Sequence, residues 1–249
     1  MAHPHGLPVR RKTKDVLRRA RGRLRRTSPK GVVSLRTIAQ YLPTRPVVVE
    51  AGAHVGVDTA AMARAWRQAK IYAFEPVPGL YEQLELATAR LPNVHRFQLA
   101  LGDRVGPAQL HLSAGSSDGS SSLAAPKAVL TNHPDVVFDT KIDVQVTTLD
   151  AWASEHGVPR IDFLWLDVQG HELRILTASP RMLEGVSVIH AEVHLVEDYD
   201  GTPLYDDLRT WLSERGFWPV VERIDWFDGG NVLFARDTGR ERSAASRVA

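Results

Sequence analysis

The stretch that decides the fold reads Val47-Val48-Val49-Glu50-Ala51-Gly52-Ala53-His54-Val55-Gly56. Its three valines predict a buried strand, which an acid follows before a glycine-spaced turn leads into a helix. Such a turn places a ligand at the carboxyl end of the strand, where Gly52 and Gly56 let the backbone approach it closely. The segment therefore predicts a nucleotide-type binding site. A glycine turn that only packs a helix against a sheet is the alternative.

The turn differs from the common phosphate-binding loops. A dinucleotide fingerprint that starts at Gly52 would need glycines at the positions of His54 and Val57, and no Walker pattern occurs in the sequence. Glu50 would repel a pyrophosphate and suits an amino-acid ammonium better. The first turn therefore favours a positively charged ligand without phosphate.

Glu75 ends the next predicted strand and precedes Pro76, twenty-five residues after Glu50. An acid near this spacing is suited to accept hydrogen bonds from ribose hydroxyls. A ribose together with an ammonium group, and no phosphate, points to S-adenosylmethionine.

Short β-branched runs alternate with helical stretches along the chain, as expected for a parallel sheet covered by helices. The predicted strands are 47–49, 71–74, 94–99, 163–166 and 186–193, and the predicted helices are 58–69, 80–91, 149–156, 171–176 and 204–215. A closing hairpin is predicted from 217–221 and 231–235, joined by Asp228-Gly229-Gly230. Segments 113–126 and 197–203 are predicted as long loops, which are either mobile or functional.

Charge is distributed unevenly over the 249 residues, although the net charge is only +2. Residues 1–30 contain eleven Lys and Arg and one acid, so the rest of the chain is acidic. We expect a basic N-terminal extension at 1–30 with a short helix at 14–26, a catalytic domain at 31–236 and a disordered tail at 237–249. Residues 10–30 are interpreted as a solvated extension, a contact with an anionic lipid surface, or a nucleic-acid contact, and the missing aromatic residues disfavour the last.

The absence of cysteine excludes disulfides, thiolate metal sites and cysteine nucleophiles. No apolar run approaches the roughly 18 to 20 residues that span a bilayer, and the N-terminus lacks the apolar segment of a secretory signal. We therefore expect a soluble, cytoplasmic protein, with no expectation for its oligomeric state.

The sequence from about 47 to 236 resembles the FkbM family of S-adenosylmethionine-dependent methyltransferases. The resemblance is carried by Glu-Ala-Gly-Ala-His-Val-Gly (50–56), Ala-Phe-Glu-Pro (73–76), Ala-Leu-Gly-Asp (100–103), Ser-Ser-Ser-Leu (120–123), Thr-Thr-Leu-Asp (147–150) and Ile-Asp-Phe-Leu-Trp-Leu-Asp-Val-Gln-Gly-His-Glu (161–172). It implies an α/β, Rossmann-like class I methyltransferase fold with a seven-stranded, mostly parallel sheet, and O-methylation of a sugar, glycan or other natural-product hydroxyl. Trp165 departs from the family, which often has a lysine there.

The resemblance also implies a set of cofactor-binding residues. Glu50, Gly52 and Gly56 would hold the methionine part and Glu75 the ribose, while Asp103 would bond the adenine amino group and Ser121 or Ser122 would close over the adenine. The full predicted set is Glu50, Gly52, Ala53, His54, Gly56, Glu75, Pro76, Asp103, Ser121 and Asp167.

A second group of polar residues follows the later strands. Asp167 ends the apolar strand before it, and Glu192 and His194 end the next strand on one side, because strand side chains alternate. Neighbouring strand ends should bring these three together, with His171 and Glu172 close by. We predict Asp167, His171 and His194 as catalytic residues.

Two roles compete for this cluster. Asp167, Glu192 and His194 offer ligands for Mg²⁺ or another divalent ion that would acidify an acceptor hydroxyl. Alternatively, His171 or His194 acts as general base without a metal. In the structural alternative, Glu172 and Glu192 only cap helices or pair with arginines.

Three functions remain open at this point. The favoured one is O-methylation of a small molecule or glycan, with specificity in 113–126, 197–203 and 225–231, where Trp226 could stack on a sugar face. RNA ribose O-methylation is the second, motivated by the basic N-terminus. A non-catalytic cofactor-binding protein is the third.

Overall fold

The computed structural model describes residues 33–236. The basic extension with its helix at 14–26 and the tail at 237–249 lie outside these residues, so the domain bounds stay a prediction.

Seven strands form the central sheet: β1 (Val47–Ala51), β2 (Lys70–Phe74), β3 (Val94–Phe97), β7 (Phe163–Leu166), β8 (Val188–His194), β9 (Phe217–Arg223) and β10 (Gly229–Arg236). Their order across the sheet is β3-β2-β1-β7-β8-β10-β9. The first five strands run parallel, whereas β10 is antiparallel to both β8 and β9. The predicted Rossmann-like sheet with its C-terminal antiparallel hairpin is confirmed.

The helices connect these strands. They are α1 (Leu35–Ile38), α2 (Val57–Ala65), α3 (Pro78–Thr88), α4 (Val129–Asn132), α5 (Leu149–Glu155), α6 (Glu172–Thr177), α7 (Pro180–Gly185) and α8 (Tyr205–Ser213), with a 3₁₀ turn at Ala39–Tyr41. Three short helices were not predicted from the sequence, namely α1, α4 and α7, the last of which has Pro180 in its first turn. Observed helix ends fall within a few residues of the predicted ones.

Both faces of the sheet are buried, as expected for parallel strands covered by helices. In β7, Leu164 and Leu166 belong to one core cluster, and Phe163 and Trp165 belong to the cluster on the other face. The first cluster includes Trp152 of α5, which is 1% exposed. This two-sided burial fixes the register, because a shift by one residue would exchange the two faces.

A second sheet of three strands was not predicted. It has the order β4-β6-β5, with β4 (Ala100–Leu101), β5 (Gly106–Gly115) and β6 (Val136–Thr147). The predicted strand 94–99 therefore ends at 97, and the predicted loop 113–126 begins inside β5. Most side chains of β5 and β6 are at least partly exposed, so the backbone ladder, rather than an apolar periodicity, defines this sheet.

The turn after β1 lies between two neighbouring strands. The backbone N–H groups of Gly52 and Ala53 both donate to the carbonyl of Phe74 at the end of β2 (3.1 and 2.9 Å). Gly52 has φ +83°, and a Cβ atom there would lie 1.8 Å from the backbone oxygen of Asp167. At Gly56, which precedes α2 with φ +80°, a Cβ atom would lie 2.7 Å from Leu84 Cδ1 of α3. The turn can pass through this gap because both positions lack a side chain.

Gly52→Ala should therefore lower the free energy of unfolding by more than about 2 kcal/mol, since it combines a backbone clash with an unfavourable φ. Urea denaturation followed by circular dichroism measures this change. Gly79→Ala is the matched control, because Gly79 lies in the first turn of α3 with no heavy atom within 4 Å of its added Cβ. The control should be unchanged or more stable by up to about 1 kcal/mol. Equal stability of the two variants would contradict the packing described for the turn.

Candidate active site

A cavity of about 250 Å³ lies at the carboxyl ends of β1, β2 and β7. We call it the first cavity. Its lining includes most of the predicted cofactor residues, namely Glu50, Gly52, Ala53, His54, Glu75, Pro76, Ser121 and Asp167. Two predicted residues, Gly56 and Asp103, do not line it. The glycine turn thus opens into a cavity at the edge where ligands of open α/β sheets bind.

Glu50 is buried at the floor of the first cavity, with 1% of its surface exposed. Its Oε2 accepts a hydrogen bond of 2.5 Å from Thr59 Oγ1, on the buried face of α2. Burial raises the pKa of Glu50 to about 8, although the bond from Thr59 opposes this shift. The carboxyl group is therefore ready to lose a proton when a cation arrives.

Glu75 is held by backbone groups from both sides. Its Oε2 accepts from the N–H of His54 at 2.9 Å, and its Oε1 accepts from the N–H of Val77 at 2.8 Å. Burial raises the pKa of Glu75, while these two bonds lower it. Each carboxylate oxygen retains acceptor capacity, so Glu75 can accept two further hydrogen bonds from a ligand in the cavity.

Acids dominate the charged lining of the first cavity. Five acids line it: Glu50, Asp58, Glu75, Asp118 and Asp167. Among the described residues that line it there is no lysine or arginine. Its apolar wall consists of Phe74, Leu80, Leu99, Leu101, Leu110 and Leu123, and Trp165 also borders it. This lining disfavours phosphate groups and favours a cation with an apolar portion.

Asp103 lies beside the first cavity rather than on it. It borders an adjoining cavity of about 240 Å³, where its carboxylate is 3.6 Å from Arg104 and 3.6 Å from Arg174. His171 lines both cavities. Burial lowers the pKa of His171 to about 4, helped by the positive charge of Arg174. Its imidazole is therefore neutral at pH 7.

A larger cavity of about 400 Å³ lies on the other side of Asp167. We call it the second cavity. Its polar lining comprises Ser116, Ser117, Ser120, His133, Asp167, Gln169, Glu192, His194, Asp198, Tyr199 and Asp228, and Trp226 also borders it. Asp167 and Gly119 line both the first and the second cavity. The two cavities therefore meet at Asp167.

Gln169 joins the carboxyl groups at this junction. Its Nε2 donates to Asp167 Oδ1 at 3.1 Å and to Glu192 Oε2 at 2.5 Å, and its Oε1 accepts from the Tyr199 hydroxyl at 2.9 Å. Burial raises the pKa of Asp167 and of Glu192, and the contact between their carboxyl groups favours the proton on Glu192. Asp167 is thus the better hydrogen-bond acceptor of the pair.

His194 lies at the end of β8, with its Nδ1 3.4 Å from Asp198 Oδ2. Its Nε2 lies 4.0 Å from Glu192 Oε2 and has no hydrogen-bond partner. Burial alone would lower the pKa of His194, but Asp198, Glu172 and other nearby acids raise it. The predicted association of Asp167, Glu192 and His194 is thus seen on the wall of the second cavity.

The predicted metal ligands are arranged differently from the expectation. Donor atoms of Glu172, Glu192 and His194 lie within 4.8 Å of one another, whereas Asp167 is not part of this group. Glu172 also accepts hydrogen bonds from the backbone N–H groups of Val168 and Gly170. The side chain of Glu172 therefore both closes the turn after β7 and faces the cluster.

The two predicted long loops both line the second cavity and are bonded to each other. The N–H of Asp200 donates to the carbonyl of Ala125 (2.8 Å), and next to this bond the N–H of Lys127 donates to the carbonyl of Asp198 (2.8 Å). The Tyr199 hydroxyl lies 2.8 Å from the carbonyl of Ser120. Segments 113–126 and 197–203 thus enclose one space.

Several residues of this region were not predicted from the sequence. Gln169 has φ +53° and lies inside the longest family motif, but its uncharged amide carries none of the acid or imidazole chemistry that marks the predicted residues. Thr59 is a hydroxyl residue on the buried face of α2, and the helical periodicity of the sequence could have indicated it. Tyr199, Asp198 and the pair His133–Asp228 come from loops, where no periodicity indicates which side chains point inward.

No helix among residues 33–236 is both long and apolar enough to cross a bilayer. This agrees with the sequence, in which no such apolar run was found.

Comparisons with known proteins show the family to which this chain belongs. The sequence model described as "Methyltransferase FkbM domain" matches residues 50–218. The chain is 31% identical to the 2-O-methyltransferase NoeI of Sinorhizobium fredii, over 63% of this chain and 66% of NoeI. It is 29% identical to the methyltransferase sdnD of Sordaria araneosa, over 74% of this chain and 78% of sdnD. It is 24% identical to the hexuronic acid methyltransferase AglP of Haloferax volcanii, over 70% of this chain and 67% of AglP. The family model covers most of the described residues, so this chain belongs to the FkbM methyltransferase family.

Proposed function

We propose that this methyltransferase transfers the methyl group of S-adenosylmethionine to a hydroxyl of a sugar or a similar polyhydroxylated small molecule. The observation that carries the proposal is the junction at Asp167. There, an acid-lined cavity without lysine or arginine among its described lining residues meets a second cavity lined by hydroxyl, amide and carboxyl groups.

The residues of the first cavity fit the proposed cofactor. Glu75 offers acceptor capacity on both oxygens for the ribose hydroxyls. Glu50 offers a buried carboxyl group for the ammonium, and Gly52 lines the same cavity. Phosphate-bearing cofactors would face five acids there.

The second cavity fits a sugar-sized acceptor. Its many hydrogen-bonding groups can satisfy a ring with several hydroxyls, and Trp226 offers an aromatic surface for an apolar ring face. The names of two relatives support this class of acceptor, since NoeI is called a 2-O-methyltransferase and AglP a hexuronic acid methyltransferase. RNA ribose is the alternative acceptor that the experiment below separates.

Asp167 is proposed as the group that receives the acceptor hydroxyl. When bound, S-adenosylmethionine supplies an electrophilic methyl carbon on a positively charged sulfur. Asp167 borders both cavities, so its carboxylate can accept the hydrogen bond of the acceptor hydroxyl, orient its oxygen and take its proton. Because His171 does not line the second cavity, we assign it no proton transfer.

The transfer itself is tested with methyl-labelled S-adenosylmethionine and a panel of glycosides, uronic acids and RNA. We expect label in a sugar hydroxyl, and a decrease of kcat by about 10²- to 10⁴-fold in Asp167→Asn. In His171→Gln, kcat should stay within about fivefold of wild type. Label only in RNA would assign the acceptor to the alternative class, and full activity of Asp167→Asn would remove this residue from the reaction.

Glu75→Gln should weaken binding of S-adenosylhomocysteine by about 10- to 100-fold, because hydrogen bonds to a charged group are worth about 1.5–3 kcal/mol. The amide would also turn a donor toward one of the two backbone N–H groups. Isothermal titration calorimetry measures the affinity, and Glu82→Gln on the exposed face of α3 is the control that should bind like wild type. Unchanged affinity of Glu75→Gln would contradict the ribose assignment.

The affinity for S-adenosylhomocysteine should also depend on pH through Glu50. Because the free protein holds this carboxyl with a pKa of about 8 and an ammonium requires the carboxylate, affinity should rise between pH 6.0 and 7.5, by at most tenfold per pH unit. In Glu50→Gln this contribution should disappear. Ionisation of the ligand is common to both proteins, so the difference between the two slopes belongs to Glu50. Parallel slopes would show that Glu50 does not titrate on binding.

A further inference from the structure

Three side chains converge at the wall of the second cavity, which two of them also line. Donor atoms of Glu172, at the start of α6, and of Glu192 and His194, at the end of β8, all lie within 4.8 Å of one another. The distance from His194 Nε2 to Glu192 Oε2 is 4.0 Å. This is too long for a hydrogen bond but suits two ligands on opposite sides of one ion, since metal–ligand distances for imidazole and carboxylate are about 2.0–2.2 Å.

His194 points an unpartnered nitrogen at this group. Its side chain is 7% exposed, and its Nε2 is buried without a hydrogen-bond partner. Asp198 Oδ2 lies at its other nitrogen, Nδ1, and therefore favours the tautomer with the proton on Nδ1. In the neutral imidazole, the lone pair of Nε2 then lies on the side of Glu172 and Glu192. A carboxylate behind a histidine in this way is the usual support of a metal-binding imidazole.

A small cavity occupies the space beside the three donors. It measures about 10 Å³ and is lined by Glu172, Glu192 and His194 together with Leu173, Val193, Pro203, Leu204, Tyr205 and Leu208. This volume is about that of one water-sized sphere, so it has room for one small particle. An Mg²⁺ ion that keeps several of its water molecules would not fit.

The acids around His194 also favour a bound cation. Asp167 and Asp198 lie next to Glu172 and Glu192, so four acids surround a single histidine. Among the residues that the structure describes, no lysine or arginine forms an ion pair with any of the four. Buried carboxylates are usually paired or bound to metal ions.

We propose that Glu172, Glu192 and His194 bind one divalent first-row transition-metal ion, of the Mn²⁺ or Zn²⁺ type. The mixture of imidazole and carboxylate ligands matches these ions, and Asp198 acts as the support of the histidine ligand. The site differs from the metal site predicted from the sequence, since Glu172 replaces Asp167. Asp167 is left to face the acceptor, and the ion holds Glu192 and His194 in place on the wall of the second cavity.

The test measures metal binding by the full-length protein without cofactor or acceptor, so that it is independent of the methyl transfer proposed above. After removal of metal with a chelator, Mn²⁺ is added and the free ion is counted by electron paramagnetic resonance, while bound Zn²⁺ is counted by mass spectrometry. We expect one ion per chain and a rise in Tm of about 5–10 °C when the free ion is at one hundred times Kd.

Two variants assign the ion to this site. Glu172→Gln is isosteric and keeps an oxygen for the N–H groups of Val168 and Gly170, so the fold should be retained, and it should lose affinity by at least tenfold. His194→Gln should lose affinity to a similar degree. The matched control is Glu155→Gln, an exposed residue at the end of α5, which should bind like wild type.

Only the ion whose binding depends on Glu172 and His194 counts, because His3 and His5 elsewhere in the sequence also offer imidazoles. No bound ion in the wild type would overturn the proposal, and so would unchanged binding in both variants. Either result would leave cofactor binding, measured separately by calorimetry, unaffected.

Discussion

The site depends on one steric constraint at the edge of the sheet. The turn after β1 passes between the ends of β2 and β7, where the position of a Cβ atom on Gly52 is already taken by the backbone oxygen of Asp167. Because the turn fits this gap, its N–H groups bond to Phe74 and to Glu75, and Glu75 is fixed at the cavity. The same close approach sets Asp167 beside the turn, at the junction of the two cavities.

The two cavities that meet at this junction differ in their lining residues. The first cavity is lined by five acids and suits a cation without phosphate, and burial at this edge raises the pKa of Glu50. The second cavity has a mixed set of hydrogen-bonding groups joined by Gln169, which contacts Asp167, Glu192 and Tyr199. A reaction that moves a methyl group from a charged sulfur to a hydroxyl needs these two environments side by side, with the reacting atoms aligned.

The sequence predicted those features that follow from strand periodicity. Residues that end parallel strands share one edge of the sheet, so the strand pattern alone places Glu50, Glu75 and Asp167 together. Asp103, which was assigned by family resemblance, borders the adjoining cavity and is paired with Arg174, and its contact with adenine stays a prediction. Glu172, rather than Asp167, completes the cluster with Glu192 and His194, and two backbone N–H groups of the turn after β7 hold its carboxyl group. The sheet of β4, β5 and β6 and the contacts of Tyr199 depend on long-range pairing between loops, which no local pattern reveals.

The most direct test of the account is a crystal structure with S-adenosylhomocysteine. We expect the ribose hydroxyls on the two carboxylate oxygens of Glu75, the ammonium near Glu50, and the sulfur facing the opening at Asp167 into the second cavity. A ligand bound outside the first cavity, or a sulfur directed away from Asp167, would contradict the central claim that this acid-lined edge delivers a methyl group to the neighbouring polar cavity.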